Sequence, residues 1–123
     1  NIKVHRFWIA LDAGVVVQPD NVRAQMEGGV IMGISSVLKE QITLVDGKVQ
    51  QSNYHDYNLL RMQEVPDSVE TTIIPSAEHP EGVGETATPM VAGAIANAFL
   101  KLTGKRLPHL PFSRERVLEA LNS

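Results

Sequence analysis

Cysteine is absent from the chain, so no disulfide forms and no thiolate is offered to zinc or to an iron–sulfur cluster. An electron-transfer cluster, if the protein works with one, is held elsewhere. Excess positive charge is lacking too: 11 basic against 14 acidic residues leave a formal net charge of −3. With no cationic face to neutralise phosphates, nucleic acid is not an expected partner. No apolar run reaches the ~18 residues that a membrane-spanning helix needs, and no basic segment followed by an apolar one opens the sequence as in a secretory signal. Asn1 instead leads directly into the strand-forming residues Ile2 to Leu11, and the natural chain is expected to start upstream.

What is present fits one α+β domain, residues 1–123, without internal repeat. A chain of this size removes roughly two-thirds of its unfolded surface from water. Val4 to Asp12 reads as a strand with Phe7, Ile9 and Leu11 on one face, stopping at Ala13-Gly14. After Pro19, Asp20 or Asn21 is placed to cap a helix to about Lys39, in which Val22, Met26, Val30, Ile34 and Val37 recur at helical spacing. Glu40 to Val45 and Lys48 to Gln51 flank Asp46-Gly47, a pair that supplies the positive φ angles of a two-residue hairpin. Asp67 to Ile74 reads as another strand, ended by Pro75. Thr88 to Thr103 reads as a second helix, with Thr88 as cap, Pro89 at its first position and Gly104 past its end. The expected fold is two main helices on a small mixed or antiparallel sheet. Residues 105–123 form a tail whose amphipathic stretch, Ser113 to Leu121, has little to pack on within the chain and is expected to dock on other protein.

In the first helix Gln25, Gly29, Gly33 and Ser36 gather along one side. Glycine inside a helix costs about 0.5–1 kcal/mol relative to alanine. Close packing accounts for such glycines most simply; a groove for a flat ligand, with Gln25 offering a donor and an acceptor, is the functional reading. The second helix is apolar from Met90 to Leu102 except at Gly93, Asn97 and Lys101, so it is expected to be buried on nearly every side in the intact protein.

Candidate chemistry precedes that helix, in His79-Pro-Glu-Gly-Val-Gly-Glu-Thr-Ala-Thr-Pro89. Gly82 and Gly84 free the backbone, and the helix behind them points N–H groups and a partial positive charge at the loop. Glu85, set near an apolar helix, is placed for general base work. A glutamate on such a loop otherwise caps the helix or sits in water, and the loop alone is weak grounds for a role.

Asp20-Asn-Val-Arg-Ala-Gln25-Met-Glu-Gly-Gly29, Gln50-Gln-Ser-Asn-Tyr-His-Asp-Tyr57, Gly82-Val-Gly-Glu85, Ala94-Ile-Ala-Asn97-Ala and Thr103-Gly-Lys-Arg106 follow one another along the chain. In this order they resemble the C-terminal part of the molybdenum-binding large subunit of the xanthine oxidase and aldehyde oxidase family, closest to the β subunits of isoquinoline 1-oxidoreductase type. The resemblance runs from about Val4 to Pro111. It implies a fragment of a larger molybdopterin-binding domain, in an enzyme that hydroxylates a carbon beside a heterocyclic nitrogen or oxidises an aldehyde, with water as oxygen source. Glu85 falls on the family's general base, which takes a proton from the metal's hydroxyl as that oxygen attacks the substrate. Gln25 falls on the glutamine that hydrogen-bonds the pterin, with Gly29 and Gly84 allowing close approach. The cofactor implied is molybdopterin with molybdenum, in the cytosine dinucleotide form. The partners implied are the rest of the large subunit, a small [2Fe-2S] subunit, and a small aromatic heterocycle or aldehyde as substrate. The loop departs from many relatives in continuing as Thr86-Ala87-Thr88-Pro89-Met90, which bears on substrate shape. Alone, the segment is expected to hold no cofactor, to be inactive, and to associate with itself through Met90–Leu102 or the tail. Cytoplasm and periplasm both remain open.

Other features read as ordinary. His55 and Asp56 are adjacent and so point to different sides, and His5, His79 and His109 sit on separate elements without ligand spacing, so no metal held by protein side chains is expected. Tyr54 and Tyr57 read as half-buried aromatics with surface hydroxyls more readily than as a substrate funnel. Arg23 and Glu27 read as a surface pair. Two alternatives differ in kind: a non-catalytic module that docks on other subunits, and a hydrolase using Glu78, Glu81 and Glu85, which would need two carboxylates held at fixed separation.

Overall fold

A computed structural model describes all residues, Asn1–Ser123. Strand β1 (Arg6–Leu11) leads to helix α1 (Pro19–Leu38), a short hairpin of β2 (Leu44–Val45) and β3 (Lys48–Val49), and a 3-10 turn at Met62–Glu64. Strand β4 (Ser68–Ile73), helix α2 (Met90–Thr103) and helix α3 (Arg114–Asn122) follow. The class is α+β, but the strands do not share one mixed or antiparallel sheet. β1 and β4 run parallel, from Arg6 opposite Ser68 to Leu11 opposite Ile73, while β2 and β3 form a separate antiparallel pair. The hairpin turns where Asp46 and Gly47 adopt φ angles of 49° and 73°.

The core follows the helical stripe of α1. Met26, Val30, Ile34 and Val37 are buried against Phe7 and Leu11 of β1 and Val91, Ile95 and Phe99 of α2. At α1 the structure departs from the expected start. Pro19 opens the helix after Gln18, without a side-chain cap. Asp20 binds Arg23 at 3.0 Å instead, so the expected Arg23–Glu27 pair is replaced by one a turn nearer the N-terminus. At α2, Pro89 is the cap residue and Met90 the first helical one. Thr88 does not cap the helix, because its hydroxyl donates to the Gly29 carbonyl at 3.2 Å and ties the helices together.

Burial differs between α2 and the tail, and only the expectation for the tail is corrected. Within this chain only Val91, Ile95 and Phe99 of α2 are buried, a single stripe, while Met90 and Leu102 are 61% and 85% exposed. The tail, by contrast, belongs to the core. Leu107, Phe112 and Val117 are buried, and the Phe112 amide donates to the carbonyl of Val37 at 2.7 Å, satisfying a group that the end of α1 leaves without a helical partner.

Candidate active site at the glycine-glutamate loop

The loop between β4 and α2 is fastened at both ends. At its start, Val15 donates its amide to the Glu78 carbonyl and Glu81 donates to Ala13, each at 3.0 Å. Gly14 makes this possible: its φ is +68°, and a Cβ there would lie 2.2 Å from the His79 carbonyl oxygen. The Asp12 carboxylate accepts the Gly14 amide at 3.0 Å and holds the turn from the other side. At its end, Ala87 is buried and the amides of Thr88, Met90 and Val91 donate to Glu85, Ala87 and Thr88 in a rising series of turns.

Between these anchors the loop is open. Gly82, Gly84, Glu85 and Thr86 are exposed, with the Thr86 hydroxyl donating to the Gly82 carbonyl at 3.1 Å. The Glu85 side chain enters none of the chain's ion pairs. The dry setting expected beside α2 is therefore not supplied by these residues. Gly82 and Gly84 do not adopt positive φ angles, and a Cβ on either would meet nothing within 4 Å. Backbone conformation does not account for them, and contact within the chain does not either.

The glycines of α1 divide differently. A Cβ on Gly29 would sit 3.0 Å from the Ala87 Cβ, and one on Gly33 would sit 2.6 Å from Val91 Cγ2 and 2.9 Å from the Thr88 carbonyl. Both are spent on bringing α1 against the 87–91 turn, and Ser36 stays exposed beyond them. Gly28 is the open one, with nothing within 4 Å. Gln25 is exposed and lies one turn before Gly29, about 6 Å along the axis at 1.5 Å per residue. Through the Gly29–Ala87 contact the structure thus brings the Gln25 end of α1 and the Glu85 loop to neighbouring positions. These surfaces fit a flat group with a polar edge, since they carry an exposed amide beside backbone that no side chain shields. Reading the sequence takes Gly14 only as a strand stop and Thr88 only as a helix cap and passes over Ala87, yet all three position the loop. The Asp-Ala-Gly run at the end of β1 was a signal for the first; the tie between Thr88 and Gly29 has none.

The 50–57 segment stands apart from this loop. The Asp56 carboxylate accepts the amides of Asn53 and Ser52 and the Ser52 hydroxyl, and these hold its pKa down to about 2. His55 Nε2 lies 3.6 Å from the Asp56 carboxylate, so the adjacent side chains do converge. No group of three or more His, Asp or Glu is disposed to hold a metal ion. Tyr57 is half-buried and donates to Glu40 at 2.9 Å, which raises its pKa, while Tyr54 is exposed.

Residues 1–66, more than half the chain, match the family model described as the molybdopterin cofactor-binding domain. The chain belongs to this family. It is 43% identical over 110 residues to isoquinoline 1-oxidoreductase subunit beta of Brevundimonas diminuta, a match covering 89% of this chain and 14% of the relative. It is 37% identical over 122 residues to the membrane-bound aldehyde dehydrogenase (pyrroloquinoline-quinone) of Gluconacetobacter polyoxogenes, covering 99% of this chain, Glu85 included, and 16% of that one. The crystal structure of quinoline 2-oxidoreductase from Pseudomonas putida 86 superposes with a TM-score of 0.83 at 25% identity, over 98% of this chain and 16% of that one. The chain spans about one-seventh of the length of the relatives it matches.

Proposed function

We propose that this chain is the part of a molybdenum hydroxylase large subunit that supplies the general base and one wall of the pterin pocket. The observation that carries the reading is Glu85, an exposed carboxylate without an ion-pair partner on a loop pinned at both ends, inside a match that spans nearly the whole chain. The molybdenum–pterin group, when bound, takes two electrons from the substrate. Glu85 accepts the proton of the oxygen, derived from water, that attacks the substrate carbon. Gln25 hydrogen-bonds the polar edge of the pterin. Gly84 on the loop and Gly28 on α1 let it approach the backbone, and Gly29 serves the pocket by holding the loop close to that helix.

The substrate class is an N-heterocycle or an aldehyde, the cofactor is the cytosine dinucleotide form of molybdopterin, and the electrons leave through a small [2Fe-2S] subunit. The missing thiolates require such a cluster to be bound elsewhere. No helix is long and apolar enough to cross a membrane, which leaves cytoplasm and periplasm equal. A second reading, a docking module without catalytic residues, rests on the exposed apolar residues of α2.

Replacing Glu85 by Gln in the assembled enzyme decides between them. The amide keeps the shape and cannot take a proton, so kcat falls 10²–10⁴-fold while KM and molybdenum content hold, about the range general base catalysis supplies. Retention of roughly a third of the activity defeats the assignment. Metal analysis of the same sample separates a molybdopterin enzyme from one using the quinone in the second relative's name.

A further inference from the structure

The first eight residues, α2 and α3 enclose a groove of 950 Å³. Ala94 and Ala98 form a low floor on α2, with Leu102, Leu118 and Leu121 beyond them; these leucines are 85%, 48% and 45% exposed. Its charged lining residues are Lys3, Arg6 and Arg114, with His5, and no acidic residue lines it. Of the four, only His5 is paired, with Asp67.

The wall of this groove is the free edge of β1. The carbonyls of His5 and Leu11 accept from Asp67 and Ile74, so by the alternation of a strand the odd-numbered residues address β4. Arg6, Trp8 and Ala10 then turn their N–H and C=O groups outward. The sheet has no third strand to receive them. Parallel ladders occur with further strands and with both faces covered, and an unpaired edge is a template for another strand.

We propose that the groove receives one more β-strand, contributed by the remaining part of a large subunit of the size its relatives have. That strand pairs with the outer edge of β1 and extends the sheet over α2. Its backbone meets Arg6, Trp8 and Ala10, and alternate apolar side chains settle on Ala98 and Leu102. Its acidic side chains face Lys3, Arg6 and Arg114. A second copy can meet the bare Leu102 and Leu121 but does not pair along β1, because two identical basic rims brought edge to edge repel each other. The relatives leave ample chain to provide the strand, since the match takes up only 14–16% of their length. None of this depends on the role given to Glu85.

The test uses the purified 123-residue chain and overlapping peptides of roughly 12 residues, long enough for a strand with flanks. The peptides span the Brevundimonas diminuta isoquinoline 1-oxidoreductase subunit beta outside its matched region. Amide hydrogen exchange is followed by NMR. A peptide of alternating apolar residues with acidic neighbours is expected to slow exchange at Arg6, Trp8 and Ala10 by about tenfold or more, leaving the odd-numbered amides as they were. Ala98→Glu, at an exposed position, removes the protection, and the double change Lys3→Glu with Arg114→Glu weakens it at low salt. The proposal is overturned if no peptide protects that edge or if protection persists in Ala98→Glu. Protection of the edge amides by rising chain concentration alone also overturns it, and gives the groove to a second copy.

Discussion

Gly29 and Gly33 on α1 look inward, onto Ala87 and Val91, whereas Gly82 and Gly84 on the following loop have nothing within 4 Å of where a Cβ would stand. The first pair is explained by the chain itself, because two elements could not otherwise approach. The second pair has no such explanation inside these residues, and it leads into the one carboxylate that the family resemblance marks as reactive. A glycine whose reason lies outside the chain points to a neighbour outside the chain.

The comparison breaks or sharpens at four places. Gly33→Ala puts a Cβ at 2.6 Å from Val91 Cγ2 and 2.9 Å from backbone at Thr88. The ~1 kcal/mol that alanine gains over glycine in a helix does not offset a clash with main chain, and a net loss of about 1–3 kcal/mol is expected in urea unfolding. No loss would mean that the two helices are not held this close. Gln25→Leu, on the open side, leaves unfolding nearly unchanged but lowers bound molybdenum in the assembled enzyme several-fold, because the cofactor's polar edge loses its partner; normal metal content would return Gln25 to the surface. In sedimentation the isolated chain is expected to form dimers or larger species through α2 and α3, since Leu102 and Leu121 are left bare. A clean monomer at high concentration would show these residues to be harmless as they stand. Gly84→Ala has the smallest expected effect on the fold, within about 0.5 kcal/mol, and the same variant should lower cofactor content in the whole enzyme. A variant that is both stable and fully loaded would leave Gly84 without a role.

Legibility in the sequence followed the range of each interaction. The α1 stripe was readable because Met26, Val30, Ile34 and Val37 repeat at the helical period and are all buried. Asp46-Gly47 and Gly104 were readable because a positive φ is a local demand. The parallel partnership of β1 with β4 was not, since no local feature of Arg6–Leu11 names a strand some sixty residues away. Nor was the single buried stripe of α2, because apolar composition reports the burial a helix is suited to, not the part supplied by this chain. Glu85 is singled out only by the order of several motifs together, since no local feature of its loop marks it. Gly14, which fixes where that loop begins, had been read only as the stop of a strand.

The clasp between Phe112 and the end of α1 has a consequence for synthesis. Chains are made from the N-terminus at about 5–20 residues per second, so α1, the hairpin and β4 emerge well before Phe112 does. For that interval the apolar face at Val37 and the carbonyl it carries lack their final cover, and contacts so distant along the chain form late. A nascent chain stalled before residue 112 is therefore expected to be sensitive to protease and attractive to chaperones, and to lose both properties once the clasp is translated.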